Sequence, residues 1–149
     1  KLESPDIELK KEKCDLVEIL NSLTDKYSPA LSDKNITLSV TGSFIKNVDK
    51  KLITQALENI LTNAVKYCNE NGTITINGTN KHLSIANSID KPITSKPDKL
   101  WEPFVKDDSS RTNKNGSGLG LSIVKNILDY NKMKGRITTT ETSFEITIQ

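Results

Sequence analysis

The chain has 149 residues, of which 34% are hydrophobic and 27% charged, with a formal net charge of +2 at pH 7. This length suits one domain with a substantial core. No basic run alternates with aromatic residues, and no apolar stretch approaches the ~20 residues of a membrane span, which argues against nucleic-acid binding and a span within the chain. Two distant cysteines and one histidine cannot form an ordinary zinc site, and free thiols in a reducing compartment are expected.

The first elements are predicted from polarity and apolar spacing. Residues 1–13 are charge-rich without a periodic apolar face and are predicted to be a linker or the frayed end of a helix that continues upstream. Asp15 can cap a first helix whose apolar residues recur at helical spacing, and Pro29 is expected to disturb its end. Alternating apolar residues predict a strand over 36–40, and a short second strand is predicted over 44–48.

A long helix and a hairpin follow. Asp49 can cap a helix over about 50–69, and Gly72 suits the left-handed position that would end it. Alternation over 73–77 and 83–86, with turn residues between them, predicts a β-hairpin.

The last third of the chain begins with a segment that lacks periodicity. Prolines and polar residues over 88–117 predict a lid or a binding loop. A helix over about 119–131 follows, Gly135 is expected to stop it, and residues 137–140 and 144–148 predict a final hairpin. Adjacent hairpins interspersed with helices predict a mixed sheet with the helices layered on one face.

A polar stripe runs along the second predicted helix beside its apolar face. At ~100° per residue the stripe covers about a third of the circumference, and it comprises Asn59, Asn63, Lys66 and Tyr67. Asparagine is a poor helix former, so two of them in mid-helix cost stability without an obvious local return, and taken alone the stripe suits a ligand site and a solvated face equally well. An amide oxygen suits Mg²⁺, a lysine charge suits phosphate, and a tyrosine ring can lie against a base. A solvated helix face is the alternative.

A glycine-rich run leads directly into the last predicted helix, with the sequence Gly116-Ser117-Gly118-Leu119-Gly120-Leu121. Glycine lets backbone N–H groups approach a ligand, and a helix start presents unpaired N–H groups and a partial positive charge. Together these features predict an anion site, whose usual occupant is phosphate.

Three segments together resemble the ATP-binding catalytic domain of bacterial sensor histidine kinases, a group of Bergerat-fold ATPases. They are Asn59–Tyr67, Leu100–Phe104 and Gly116–Val124. The resemblance implies an α/β (α+β) two-layer sandwich, in which three helices cover one face of a mixed β-sheet. Residues 14–149 would form the ATP-binding catalytic domain, with an ATP lid at about 88–118. Residues 1–13 would be the linker from an upstream helical dimerisation domain.

The resemblance also implies roles for individual residues. Asn63 would coordinate Mg²⁺, Asn59 would support the phosphate and metal region, and Lys66 would contact phosphate. Tyr67 would flank the base, and Phe104 would anchor the lid. The remaining implied contacts with ATP are Ile89 and Ile93 as apolar walls, Lys106 and Arg111 as phosphate or interdomain contacts or else solvated loop charges, and the glycine run at Gly116, Gly118, Leu119, Gly120 and Leu121.

One segment departs from the family's Asp-x-Gly-x-Gly pattern. Asn87 stands where the family carries the aspartate that receives the adenine amino group, and both glycines are absent. A neutral asparagine oxygen can accept the same hydrogen bond, though more weakly. Asp90 is the rival candidate for this acceptor. His82 is interpreted as a surface strand residue, because the family's phosphate-accepting histidine lies on the separate helical domain.

The implied reaction is transfer of the γ-phosphoryl group of Mg-ATP to a histidine on the dimerisation domain of the same full-length protein. A response regulator would be a further partner, and a membrane would be reached only through upstream segments. Hydrolytic relatives carry a water-activating glutamate where this helix has Asn59, and Glu58 points ~100° away, so slow hydrolysis is expected. A degenerate scaffold without ATP binding and a protein-serine kinase of the anti-sigma-factor type are the alternatives.

Overall fold

The computed structural model describes residues 8–102 and 120–149. Within them four α-helices lie at Leu16–Thr24 (α1), Ser28–Asp33 (α2), Lys50–Tyr67 (α3) and Gly120–Tyr130 (α4). The strands of the same residues are Lys11–Asp15 (β1), Thr37–Gly42 (β2), Ile45–Asp49 (β3), Thr73–Gly78 (β4), Leu83–Ser88 (β5), Gly135–Thr139 (β6) and Ser143–Ile148 (β7). Short 3₁₀ turns occupy Asp25–Tyr27 and Pro97–Trp101.

A mixed five-stranded sheet forms one layer of the fold, with strand order β2-β4-β5-β7-β6. The β2–β4 pair is parallel, and the β4–β5, β5–β7 and β6–β7 pairs are antiparallel. Alternate residues of β4, β5 and β7 are buried, which is the pattern of a sheet with one covered face. Helices α1, α3 and α4 contribute buried side chains to the same core, so the predicted mixed sheet with helices on one face is confirmed.

The helix caps explain where the first helices begin and end. Asp15 accepts a hydrogen bond from the Val17 N–H at 3.0 Å and caps α1. The expected disturbance at Pro29 is confirmed, because α1 ends at Thr24 and Pro29 lies in the first turn of a separate helix, α2. Proline suits that position, since it lacks an N–H that the first turn would leave unpaired.

Asp49 caps α3 as predicted. Its side chain accepts from the Leu52 N–H at 3.1 Å and the Lys10 N–H at 3.1 Å. Burial raises the pKa of Asp49, but hydrogen bonds from backbone N–H groups and the charge of Lys51 outweigh burial and hold the pKa below its ordinary value. The helix ends two residues earlier than predicted, because Cys68 has extended backbone angles.

The prediction that residues 1–13 form a linker or the frayed end of a helix is wrong for residues 11–13. Residues 11–13 belong to β1, which pairs antiparallel with β3 in a separate two-stranded sheet. All three are exposed, so an apolar face that would reveal this strand is missing from the sequence.

Two glycines have a different role from the one predicted. The left-handed residue between α3 and β4 is Asn71, with φ of 61°, and the one after α4 is Lys132, with φ of 57°. Gly72 instead lies close to the Ser88 hydroxyl. Gly135 begins β6, where an added Cβ would lie 2.9 Å from the Trp101 ring. Close packing therefore explains these two glycines.

Candidate functional site

Helix α3 presents the predicted polar stripe beside its buried face. The side chains of Asn59, Asn63, Lys66 and Tyr67 are half-buried. The neighbouring apolar arc is buried, at Leu57, Ile60, Leu61, Ala64 and Val65. No hydrogen bond joins the side-chain amide of Asn59 or Asn63 to another residue in the described parts of the chain. Both amide oxygens are hard donors that fit Mg²⁺ accompanied by phosphate.

The end of α3 brings a positive charge and an aromatic ring together. The ammonium nitrogen of Lys66 lies 5.2 Å from the centroid of the Tyr67 ring, a cation–π distance. A lysine stem is long and flexible, so the same charge can move from the ring to an anion close by.

Asn87 occupies a position that would ordinarily hold an apolar residue. It follows Leu83 and Ile85 in the row of β5 that points towards the helices, and it is 2% exposed. Its Nδ2 donates to the Ser88 carbonyl at 3.1 Å, which uses one of its two N–H groups. A buried amide in a row of apolar residues suits recognition of a polar group on a ligand.

Asn87 and Asp90, the two candidates for the adenine acceptor, differ in exposure. Ile89, just beyond β5, is 8% exposed, and Ile93 packs against the core, whereas Asp90 is exposed. Of the two residues only Asn87 is buried, where a hydrogen bond to a ligand would be shielded from water.

Helix α4 packs against α3, so the two predicted clusters belong to neighbouring elements. Leu121 packs against the core, and a Cβ added at Gly120 would meet none of the residues that the structure describes. Those residues thus leave the Gly120 position uncrowded, as a phosphate-binding helix start requires. The other predicted lid and glycine-run residues lie outside the described residues, namely Phe104, Lys106, Arg111, Gly116, Gly118 and Leu119.

Glu58 accepts hydrogen bonds from two residues that follow α1. Its Oε2 accepts from the Lys26 ammonium and from the Tyr27 hydroxyl, each at 2.6 Å. These two hydrogen bonds lower the pKa of Glu58. Burial, together with the hydrogen bond to Glu58, raises the pKa of Tyr27 to about 12. A carboxylate held in this way is a poor base for activating water, in keeping with the predicted slow hydrolysis.

Replacing Tyr27 with phenylalanine should lower stability by about 1–2 kcal/mol near neutral pH, because the charged Glu58 carboxylate loses the hydrogen bond that the Tyr27 hydroxyl donates. The pKa of Glu58 is lowered in the folded protein. Its contribution to stability is therefore complete at a pH above the ordinary glutamate pKa and is lost as the pH falls through the folded-state pKa. The difference in unfolding free energy between wild type and Tyr27→Phe should therefore become smaller in acid. Urea unfolding from pH 3 to 8 measures this, and a gap independent of pH would contradict it.

Three residues that sequence reasoning missed join elements of the fold that are far apart in the chain. The Ser88 hydroxyl donates to Asn69 Oδ1 at 2.7 Å and joins β5 to the end of α3. The Lys34 ammonium reaches backbone carbonyls of α3, and Asn131 bonds the N–H of Asp49. Local patterns carry no signal for such contacts, although a buried polar residue at the end of a helix, such as Asn131, hints at a cap.

The fold and the polar stripe on α3 are those of a two-layer α/β ATPase domain. The chain belongs to the family of histidine kinase-, DNA gyrase B-, and HSP90-like ATPases, which matches residues 48–149. The probable sensor protein PcoS of Escherichia coli is 30% identical over 127 residues, which are 82% of this chain and 27% of that protein. The sensor protein VanSC of Enterococcus gallinarum is 31% identical over 128 residues, which are 82% of this chain and 36% of that protein.

Solved structures give the same fold. The mycobacterial sensor histidine kinase MprB has a TM-score of 0.74 at 20% identity, covering 93% of this chain and 95% of that one. Full-length ShkA, in complex with AMPPNP, has a TM-score of 0.73 at 21% identity, covering 99% of this chain and 32% of that one. The predicted ATP-binding domain of the sensor histidine kinase type is thereby confirmed, and neither alternative is favoured. The chain spans only about a quarter to a third of the two curated sensor proteins.

No helix among residues 8–102 and 120–149 is long and apolar enough to cross a membrane. The same residues hold no cluster of three or more His, Cys, Asp or Glu side chains placed to bind a metal.

Proposed function

We propose that this chain binds Mg-ATP between α3 and the start of α4 and transfers its γ-phosphoryl group to a histidine of a helical dimerisation domain in the same full-length protein. The observation that carries the proposal is the pair of α3 side-chain amides, Asn59 and Asn63, that have no hydrogen-bond partner among the described residues. Asparagines that neither pack in the core nor bond other described residues lower helix stability, so a ligand is the simplest reason for them.

Each residue of the site has a distinct task in this proposal. Asn63 would hold Mg²⁺ through its amide oxygen, and Asn59 would support the phosphates beside it. Lys66 would leave the Tyr67 ring to contact a phosphate, and the ring would then flank the base. Bound Mg²⁺ supplies charge neutralisation at the phosphoryl oxygens. Phosphoryl transfer depends mostly on such positioning and charge, so no side chain needs to form a covalent bond.

Adenine recognition is assigned to Asn87. Its Nδ2 donates to the Ser88 carbonyl, and its Oδ1 would accept a hydrogen bond from the adenine amino group. Ile89 and Ile93 would supply apolar contact with the base.

Selectivity for adenine tests this assignment. Wild type should bind Mg-ATP about tenfold more tightly than Mg-ITP, because inosine has a carbonyl where adenine has the amino group and would face another acceptor. Asn87→Ala should bind both nucleotides about equally. The matched control is Asn77→Ala, since Asn77 lies on β4 and accepts from Thr41 instead. Titration calorimetry measures all three proteins, and an Asn87→Ala variant that still prefers ATP would contradict the assignment.

The partners follow from the reaction. The histidine-bearing dimerisation domain would receive the phosphoryl group, and a response regulator would take it from that histidine. The proposed location is the cytoplasm, where ATP is supplied, with any membrane anchor in another part of the full-length protein.

The experiment that tests the function is phosphoryl transfer from labelled ATP. The 149-residue chain is incubated with Mg-ATP and a helical dimerisation domain that carries its histidine, and the product is treated with acid. Label that is lost in acid indicates phosphohistidine and supports the proposal. Acid-stable phosphoserine would contradict it in favour of the serine kinase, and absence of any calorimetric Mg-ATP binding would contradict it in favour of a scaffold.

A further inference from the structure

Lys34, between α2 and β2, reaches across to the end of α3. Its ammonium nitrogen donates to three backbone carbonyls, those of Val65 at 3.0 Å, Lys66 at 2.8 Å and Cys68 at 2.9 Å. The last carbonyls of a helix have no partner within the helix. An ammonium group has three N–H donors, so this one is fully used. Its positive charge also opposes the partial negative charge at the helix end.

The backbone around Lys34 is fixed independently of its side chain. The Asn71 N–H donates to the Lys34 carbonyl at 2.8 Å, and Asn35 Nδ2 donates to Asn71 Oδ1 at 2.7 Å. Asn35 and Asn71 both have left-handed backbone angles, with φ of 53° and 61°. The parallel pairing of β2 with β4 begins directly after them. Lys34 therefore extends from a rigid corner of the fold.

The turn that Lys34 holds is the one that carries Lys66 and Tyr67. The Lys66 carbonyl accepts from Lys34 while the Lys66 ammonium lies over the Tyr67 ring. Any rotation or fraying of this turn would displace both side chains together. Helix ends fray readily unless their carbonyls are capped, and α3 ends here without a glycine.

We infer that Lys34 is a positioning residue for nucleotide binding, which acts by ordering the last turn of α3 without touching the nucleotide. This inference rests on the proposed function. A purely structural cap would also stabilise the fold, so stability alone does not distinguish the two roles. Nucleotide affinity, measured well below the unfolding temperature, does distinguish them.

The test compares Lys34→Met with Lys34→Arg in the 149-residue chain, and with Lys81→Met as the matched control. Methionine keeps most of the stem and removes the donors, arginine restores charge and N–H groups, and Lys81 is exposed in the β4–β5 hairpin. Lys34→Met should weaken Mg-ATP binding about tenfold, which corresponds to about 1.4 kcal/mol. Lys34→Arg and Lys81→Met should stay within about threefold of wild type, since both retain a cap on α3.

Hydrogen exchange gives a second readout that needs no nucleotide. In Lys34→Met the amides of residues 66–68 should exchange about tenfold faster, while amides in the middle of α3 keep their protection. Lys34→Gln, which retains two N–H donors, replaces the methionine variant if that variant does not fold.

The outcomes separate the two proposals. A folded Lys34→Met variant with wild-type affinity, or with exchange accelerated uniformly along α3, would overturn the positioning role. Failure of the wild type to bind Mg-ATP would contradict the proposed function instead, and the local exchange pattern would still decide whether Lys34 orders the end of α3.

Discussion

Asn63→Ala should weaken Mg-ATP binding by about 100-fold or more, because even residues that only support a metal ligand contribute 10- to 100-fold to metal affinity. The fold should remain intact. The Asn63 amide bonds no other side chain or backbone group in the described residues, so its removal leaves no partner unsatisfied. Alanine is also the better helix former, which should leave the unfolding temperature unchanged or slightly higher. Affinity and stability are therefore expected to change in opposite directions.

Gln55→Ala is the matched control, since Gln55 is an exposed amide on the same helix. Titration calorimetry with Mg-ATP, and with ATP in the presence of EDTA, measures the affinities of wild type and both variants. Wild type should lose most of its affinity when the metal is removed, Gln55→Ala should match wild type, and Asn63→Ala should be insensitive to metal. An Asn63→Ala variant within threefold of wild type would place the metal elsewhere.

Sequence periodicity predicted the main elements because the core is built from local patterns. Apolar residues on α3 repeat with the helical period, and the inward rows of β4 and β5 alternate, so each element is visible in its own residues. Strand β1 has no such pattern. It exists because β3 offers it a partner far along the chain, which no local window contains.

Glycine positions were harder to interpret than apolar ones. A glycine after a helix usually supplies the left-handed residue, but here Asn71 takes that conformation, with its side chain bonded to Asn35. Asparagine tolerates left-handed angles better than most residues. Gly72 is then required by the nearby Ser88 hydroxyl, a contact that only the folded chain reveals.

The candidate site also has one part that the sequence predicted and one part that it did not. The polar stripe lies on the single helix α3, and the sequence alone predicted its members. The contacts that hold the stripe in place are between distant residues, such as Lys34 with Lys66 and Ser88 with Asn69. These bonds depend on how β2, β4 and β5 are ordered in the sheet, which the sequence predicted only as a mixed sheet.

Asn131 should be the polar side chain whose loss most affects stability. It is 4% exposed, its Oδ1 accepts from the Asp49 N–H at 2.9 Å, and its Nδ2 donates to the Ile127 carbonyl at 2.9 Å. Asn131→Ala would leave the Asp49 N–H without this partner, which costs about 1–3 kcal/mol, while the Ile127 carbonyl keeps the hydrogen bond at 3.1 Å from the backbone N–H of residue 131. A loss of about 2 kcal/mol is expected, a large share of the stability of an ordinary domain.

Asn126→Ala is the matched control, because Asn126 is exposed on α4 and should change stability by no more than about 0.5 kcal/mol. Urea unfolding compares the three proteins. Asn131 joins α4 to the start of α3, which lies about 25 Å along the helix from Lys66. Mg-ATP affinity of the folded Asn131→Ala variant should therefore stay within about threefold of wild type. A stability change below about 0.5 kcal/mol would mean that water replaces the amide at the Asp49 N–H.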